Sequence, residues 1–180
     1  MPFFWYFFIY SLLGYGLEKS FAKLTHAKKQ NRKGFLLLPL CPVYGLAMAA
    51  LLSLPKELVR SSWSLFFWGA LTATAVEYAV HWFYDKLFGV QFWDYSSTFG
   101  TIRGRVCIPF SLIWGVLTTA AVIFLQPLIR LAVFRIPDWA TYGALLLVTA
   151  DLVLSARLLS LYHDTELLNV HRLYSVSLQL

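Results

Sequence analysis

The chain has 180 residues, of which 59% are hydrophobic and only 13% charged, with a mean hydropathy of +0.64. A water-soluble domain carries about 25% charged residues, so this composition excludes that class and points to a membrane protein. The net charge of +6 does not indicate nucleic acid, because the basic residues flank apolar runs, where they meet anionic headgroups.

Five apolar runs approach the roughly 20 residues that a helix needs to cross a bilayer. The first spans about Phe3 to Leu24. No basic segment precedes it and no small-residue cleavage site follows, so it reads as a retained helix. Glu18 and Lys19 stand near its inner end. The polar loop THAKKQNRKG comes next. The second run, about Phe35 to Leu54, carries Pro39 and Pro42, with Cys41 between them and Tyr44 beyond. Each proline removes a backbone donor and crowds the turn before it, so this end should be kinked or partly unwound. In lipid, such backbone persists only where protein or a water-filled cavity covers it. These residues are therefore expected to line a cavity.

The third run covers about Trp63 to Tyr84, and the loop Asp85 to Arg105 follows. The fourth covers about Val106 to Gln126. The connector PLIRLAVFRIPD contains a stretch, Leu128 to Phe134, long enough for an interfacial helix but not for a span. The fifth run covers about Trp139 to Leu158. The fold class expected is all-α, a single bundle of about five transmembrane helices over residues 1–158. Residues 159–180 form a cytoplasmic or interfacial tail. Small residues recur at four-residue spacing in Gly45/Ala49, Gly69/Ala73 and Ser111/Gly115/Thr119, which suits close helix approach.

Orientation follows from charge. Lys19, Lys23, Lys28, Lys29, Arg32, Lys33, Lys86, Arg103, Arg105, Arg157 and Arg172 fall on one face. Lys56, Arg60, Arg130 and Arg135 fall on the other. The positive-inside rule then puts the N-terminus outside and the C-terminus in the cytoplasm, in the inner membrane if the cell is bacterial.

The polar groups gather toward the cytoplasmic side. Glu77 lies 14 residues past Trp63, about 21 Å along the helix. Asp151 is about 18 Å along the fifth helix by the same arithmetic. A charge in hydrocarbon costs at least roughly 2.5–3.5 kcal/mol and usually faces a partner or a cavity. Glu77, His81 and Asp85 repeat every four residues and share one helix face. Glu77 is then either the structural partner of His81, Arg103 or Arg105, or a group that handles an ion or substrate. Asp151, one turn before Ser155, and Glu18, beside Lys19, carry the same two readings. Asp94 with Ser96 suits a turn, or Asp94 and His81 assist a working Glu77; Arg103 and Arg105 either hold an anionic group or only orient the chain. Cys41 and Cys107 fit neither a disulfide framework nor a zinc pattern and should be reduced. No H-E-x-x-H, G-x-S-x-G or Walker A motif is present, so no metal, cofactor or catalytic residue is assigned.

Several short pieces carry a resemblance: Gly34-Phe35, Pro39 through Gly45, Glu77-Tyr78, Phe92 through Ser96, Gly104 through Cys107, and Trp114-Gly115. On these, the chain resembles the ABC-transporter type IV family, a CmpB-like group of small multi-pass membrane proteins. Leu38 and Gly100 depart from its pattern, which has glycine and asparagine there. The resemblance implies a permease-like component working in the bilayer, alone, with a partner subunit or as a homo-oligomer, on a small polar substrate or ion. An inner-leaflet enzyme acting on lipid headgroups, or an accessory protein with a structural polar core, would carry the same residues.

Overall fold

The computed structural model describes residues 2–25 and 34–168. Lys28, Lys29, Arg32, Lys33 and Arg172, counted for orientation, lie outside them. Among the described residues the fold is helical and contains no strand. Its helices are α1 (Pro2–Leu24), α2 (Pro42–Leu52), α3 (Ser62–Phe88), α4 (Ile108–Val133) and α5 (Asp138–Tyr162).

Local chemistry sets the ends. The Ser61 hydroxyl accepts the Ser64 amide at 3.1 Å and caps α3. Cys41 and Cys107 stand at the N-caps of α2 and α4, each followed by a proline in the first turn, where a missing N–H leaves no bond unmade. The second apolar run is not a helix from Phe35. Pro39 and Pro42 keep residues 34–41 irregular, as their chemistry demands, and α2 starts only at Pro42. Its 11 residues reach about 16 Å, too short to cross a bilayer.

The fourth run also differs from expectation. It does not stop at Gln126 before a separate interfacial helix; α4 continues through Pro127 to Val133. A π-helical turn, Ala121–Leu125, makes this feasible, with the Gln126 amide bonded to the Ala121 carbonyl. The wider turn makes room for the ring of Pro127, which would otherwise press on the turn before it.

Two helices are long and apolar enough to cross a membrane, α4 and α5, fewer than the five spans anticipated. In α1 the charges of Glu18, Lys19 and Lys23 lower the apolarity of the C-terminal end, and in α3 Glu77, His81 and many Trp, Tyr, Ser and Thr side chains do so. The apolar windows of α4 and α5 are only 11% and 17% buried. A core helix of a soluble protein would be mostly covered. Here Val116, Phe124, Leu128, Leu131, Leu146 and Leu161 are among the large apolar side chains that face outward.

Packing falls into two apolar clusters at opposite ends of the bundle. One joins Tyr6 and Tyr10 of α1, Met48 and Leu51 of α2, Leu65 of α3, and Ile129 and Val133 of α4. The other joins Phe35, Leu36 and Leu40 of the irregular segment to Tyr84, Phe88, Val90, Leu159 and Leu168. Leu168 is fully buried and sits in the short Thr165–Leu168 turn, so the first part of the expected tail packs on the bundle. The α5 helix itself runs past Leu158 to Tyr162, and His163 Nδ1 meets the Phe88 carbonyl at 2.6 Å, tying α5 to the end of α3.

Candidate functional site

Glu77 stands on α3 and is 5% exposed. Tyr95 Oη donates to its Oε1 at 3.0 Å, and Trp114 Nε1 donates to its Oε2 at 2.9 Å. Both donors are neutral. None of the partners considered from the sequence bonds to it. Arg105 instead donates to Asp85 at 2.9 Å and to the Tyr78 hydroxyl at 3.2 Å, and its guanidinium lies 5.2 Å from the Tyr78 ring centre. His81 is bonded through Nε2 to the Trp93 carbonyl at 3.0 Å, and its buried Nδ1 has no hydrogen-bond partner among the described residues. Because a carbonyl only accepts, Nε2 carries the proton in that bond.

Glu18 is half-buried toward the C-terminal end of α1 and accepts the Tyr44 hydroxyl at 2.7 Å. Tyr44 and Trp114 meet edge-to-face with ring centres 5.4 Å apart. The two carboxylates are thus linked through two aromatic side chains, one from α2 and one from α4.

The α1–α2 and α3–α4 hairpins hold these groups in the same way. A Cβ on Gly45 would overlap Ser11 Oγ and the Phe7 carbonyl, and one on Gly115 would meet the Phe66 ring at 2.7 Å and Ala70 Cβ at 3.1 Å. Phe7 and Ser11 precede Glu18 by the same intervals that separate Phe66 and Ala70 from Glu77. In both hairpins the residue just before the glycine, Tyr44 or Trp114, donates to the carboxylate. The sequence reading did not find this repeat. Its signal is an aromatic-glycine pair in the second helix of each hairpin and, in the first, a carboxylate on the side that meets the glycine.

Between the hairpins lies a cavity of about 250 Å³. Its walls include Leu13 and Leu17 of α1, Met48 of α2, and Leu117 and Leu125 of α4, with Glu77, Tyr44 and Trp114 at one end. Of the residues expected at the site from sequence, Glu77 and Tyr44 line this cavity, and Glu18 adjoins it through Tyr44.

The others stand apart. Asp151 on α5 is 6% exposed and accepts the backbone amides of Leu37 and Leu38, both at 3.0 Å, with Ser155 beside it. It anchors the irregular segment, whose Cys41 amide also bonds to the Ser11 carbonyl at 2.9 Å. These amides of the unwound backbone are satisfied by protein groups. Pro39 is exposed, Pro42 is buried at the start of α2, and Cys41 and Cys107 are free and buried.

Residues 89–107 form a compact cover over the end of α3. Trp93 Nε1 donates to the Arg105 carbonyl at 2.9 Å, and the Tyr95 amide donates to the Gly104 carbonyl at 2.8 Å. Asp94 accepts the Ser96 amide at 2.9 Å and its hydroxyl at 2.5 Å. These bonds favour the charged form, so the Asp94 carboxyl titrates below its ordinary value. Gly104 has φ of 70°, and a Cβ there would come within 2.6 Å of Asp94 Oδ1, so only glycine fits. Arg103 is exposed in the same turn. The loop delivers one group to the cavity end, Tyr95, which stacks on Phe110 with ring centres 4.8 Å apart. Tyr95 and Trp114 are site residues that the sequence reading did not assign; both are aromatic donors next to a loop or glycine that pins them.

The family model described as Putative ABC-transporter type IV matches residues 5–156. No curated protein and no solved structure matches the chain. Because the match takes in both hairpins, the cover loop and most of α5, the chain belongs to the Putative ABC-transporter type IV family.

Proposed function

We propose that the chain is a transporter-type membrane component in which Glu77 engages a ligand inside the cavity between the two hairpins. One observation carries this. A carboxylate 95% buried, with only neutral donors on it among the described residues, faces an apolar cavity. A carboxylate kept for structure alone is normally neutralised where it is buried. The broken start of α2 favours the same reading, since transporters place interrupted helices at their binding sites. In this arrangement α1 and α3 cross the bilayer with α4 and α5, and the irregular segment with α2 completes the fifth pass. The N-terminus is outside and the C-terminus in the cytoplasm; reporter fusions at both ends test that, and a cytoplasmic N-terminus rules it out.

The functional test compares the lipids and metabolites of cells with and without the chain. Glu77→Gln should reach the membrane at the wild-type level, keep its thermal midpoint in detergent, and fail to restore whichever compounds changed. Full restoration by Glu77→Gln would remove Glu77 from the working site.

A further inference from the structure

We propose that the cavity binds a lipophilic monovalent cation, with its apolar body between the hairpins and its positive centre on Glu77. The inference rests on the reading of Glu77 above and deepens it to a ligand class. It starts from the wall of the cavity. Apart from Glu77, its polar side-chain oxygens already have partners. Tyr10 Oη donates to Gln126 at 2.9 Å, Tyr44 Oη donates to Glu18, and Thr118 Oγ1 donates to the Trp114 carbonyl at 2.7 Å. The rest of the lining is mainly aliphatic and aromatic. A sugar, an amino acid or a hydrated anion would leave its own polar groups unsatisfied there, at roughly 1–3 kcal/mol for each.

Glu77 differs from these groups. Each of its oxygens accepts one bond, and a carboxylate has about four lone-pair directions, so acceptor capacity remains. Arg105 does not neutralise it, being paired with Asp85. An ionised Glu77 makes that end of the cavity negative, and an ionised Glu18, bonded behind Tyr44, would add to it. A zwitterion or anion has the wrong sign. A divalent metal ion prefers six or more oxygen ligands, and the cavity offers one carboxylate. Trp114, bonded to the carboxylate, and Tyr44, edge-to-face with Trp114, line the same cavity, and aromatic faces attract a diffuse cation more than a strongly hydrated one. The ligand that satisfies all of these has a delocalised or shielded positive charge on a largely apolar body.

Tetraphenylphosphonium and tetraphenylborate share that shape and differ in the sign of their charge. Equilibrium dialysis of each against the detergent-purified full chain separates charge recognition from simple partition. The wild-type protein should retain the phosphonium and not the borate. Glu77→Gln should weaken phosphonium binding by about tenfold or more, the loss of one charge-assisted contact. Glu77→Asp, which keeps the charge, should stay within about threefold of wild type, and Glu18→Gln should lose less than Glu77→Gln. Equal retention of both ions, or phosphonium binding unchanged in Glu77→Gln, overturns the proposal. So does an absence of phosphonium binding by wild-type protein. If Glu77→Gln fails to complement in cells while the purified chain ignores the phosphonium, the ligand class is wrong and the role of Glu77 stands. If Glu77→Gln complements fully, the role itself is wrong.

Discussion

The α1–α2 and α3–α4 hairpins hold a carboxylate by the same contacts, yet Glu77 is buried and Glu18 is half open. In both, a glycine lets the helices close and an aromatic donor reaches back to the acid. The difference lies beyond the helices. Residues 89–107 fold over the second hairpin and bring Tyr95 onto Glu77 as a second donor. Among the described residues, Glu18 accepts from Tyr44 alone. Burial of the acid is therefore set by the cover loop, and the helix pair only positions it. The first hairpin differs in another respect. Its second helix starts late, and the segment before it hangs on Asp151 of α5.

The largest effect should come from taking the acids away. Glu77→Leu leaves Trp114 Nε1 and Tyr95 Oη without an acceptor, which costs roughly 1–3 kcal/mol for each donor. Glu18→Leu strands only the Tyr44 hydroxyl, beside a half-open position, so its thermal midpoint in detergent should fall far less. Equal losses would show that the cover loop does not distinguish the two hairpins. Glu77→Gln should be nearly silent in the same assay. Its carbonyl can serve Trp114 while the Tyr95 hydroxyl turns to accept. For the same reason Arg105→Gln should not rescue any Glu77 variant, because Arg105 answers to Asp85.

Close packing at the two glycines gives the next comparison. Overfilling a packed site costs about 1–3 kcal/mol. Gly45→Ala presses on backbone, the Phe7 carbonyl, whereas Gly115→Ala meets the movable ring of Phe66. Gly45→Ala should therefore lower the midpoint more. The reverse order would mean that α3–α4 is the tighter pair.

How much of this was legible in the sequence follows from which forces are local. Pro39 and Pro42 announce a broken helix wherever the chain goes, and residues 34–41 are irregular. Glu77 and His81 do share a face of α3, since four residues make about one turn. What the sequence could not give was choice of partner. Arg105 lies in a loop that could have turned it toward Glu77 or Asp85, and that choice depends on the folded loop. Pro127 misled in the opposite direction. Proline normally ends a helix, but a π turn just before it lets α4 continue. Fewer helices qualify on length and apolarity than the five runs suggested, because α2 lost a turn or more of its run to the prolines and α1 and α3 carry many polar groups.

Asp151→Asn probes the anchor that only the first hairpin has. An amide can accept one of the two backbone N–H groups and meets the other with its own NH₂, a loss of about 1–2 kcal/mol. The midpoint should fall by less than in Glu77→Leu. No change would detach the broken segment from α5.

The smallest effect concerns the cover loop and pH. The native Asp94 carboxyl binds its proton less tightly than an unfolded one, because Ser96 bonds the charged form. The stabilisation is thus present above the unfolded value and is lost as pH falls through the lower folded value. Protease cleavage within residues 89–107 should stay flat down to about pH 4, the ordinary aspartate range, and rise below it. Asp94→Ala should raise cleavage at every pH. A rise beginning near neutrality would place the control of the loop elsewhere.

The π turn at Ala121–Leu125 also bears on how the chain can change length. A π turn is an α-helix with one residue more than the ladder needs. Deleting one residue there, together with replacement of Pro127, whose ring needs the wide turn, would restore ordinary hydrogen bonding and leave both ends of α4 facing as they do now. A deletion anywhere else in α4 would turn everything beyond it by about 100° and carry either Trp114 or the Ile129 and Val133 contacts away from their partners. Length variation in α4 among descendants of this chain should therefore collect in those five residues, just where the helix borders the cavity.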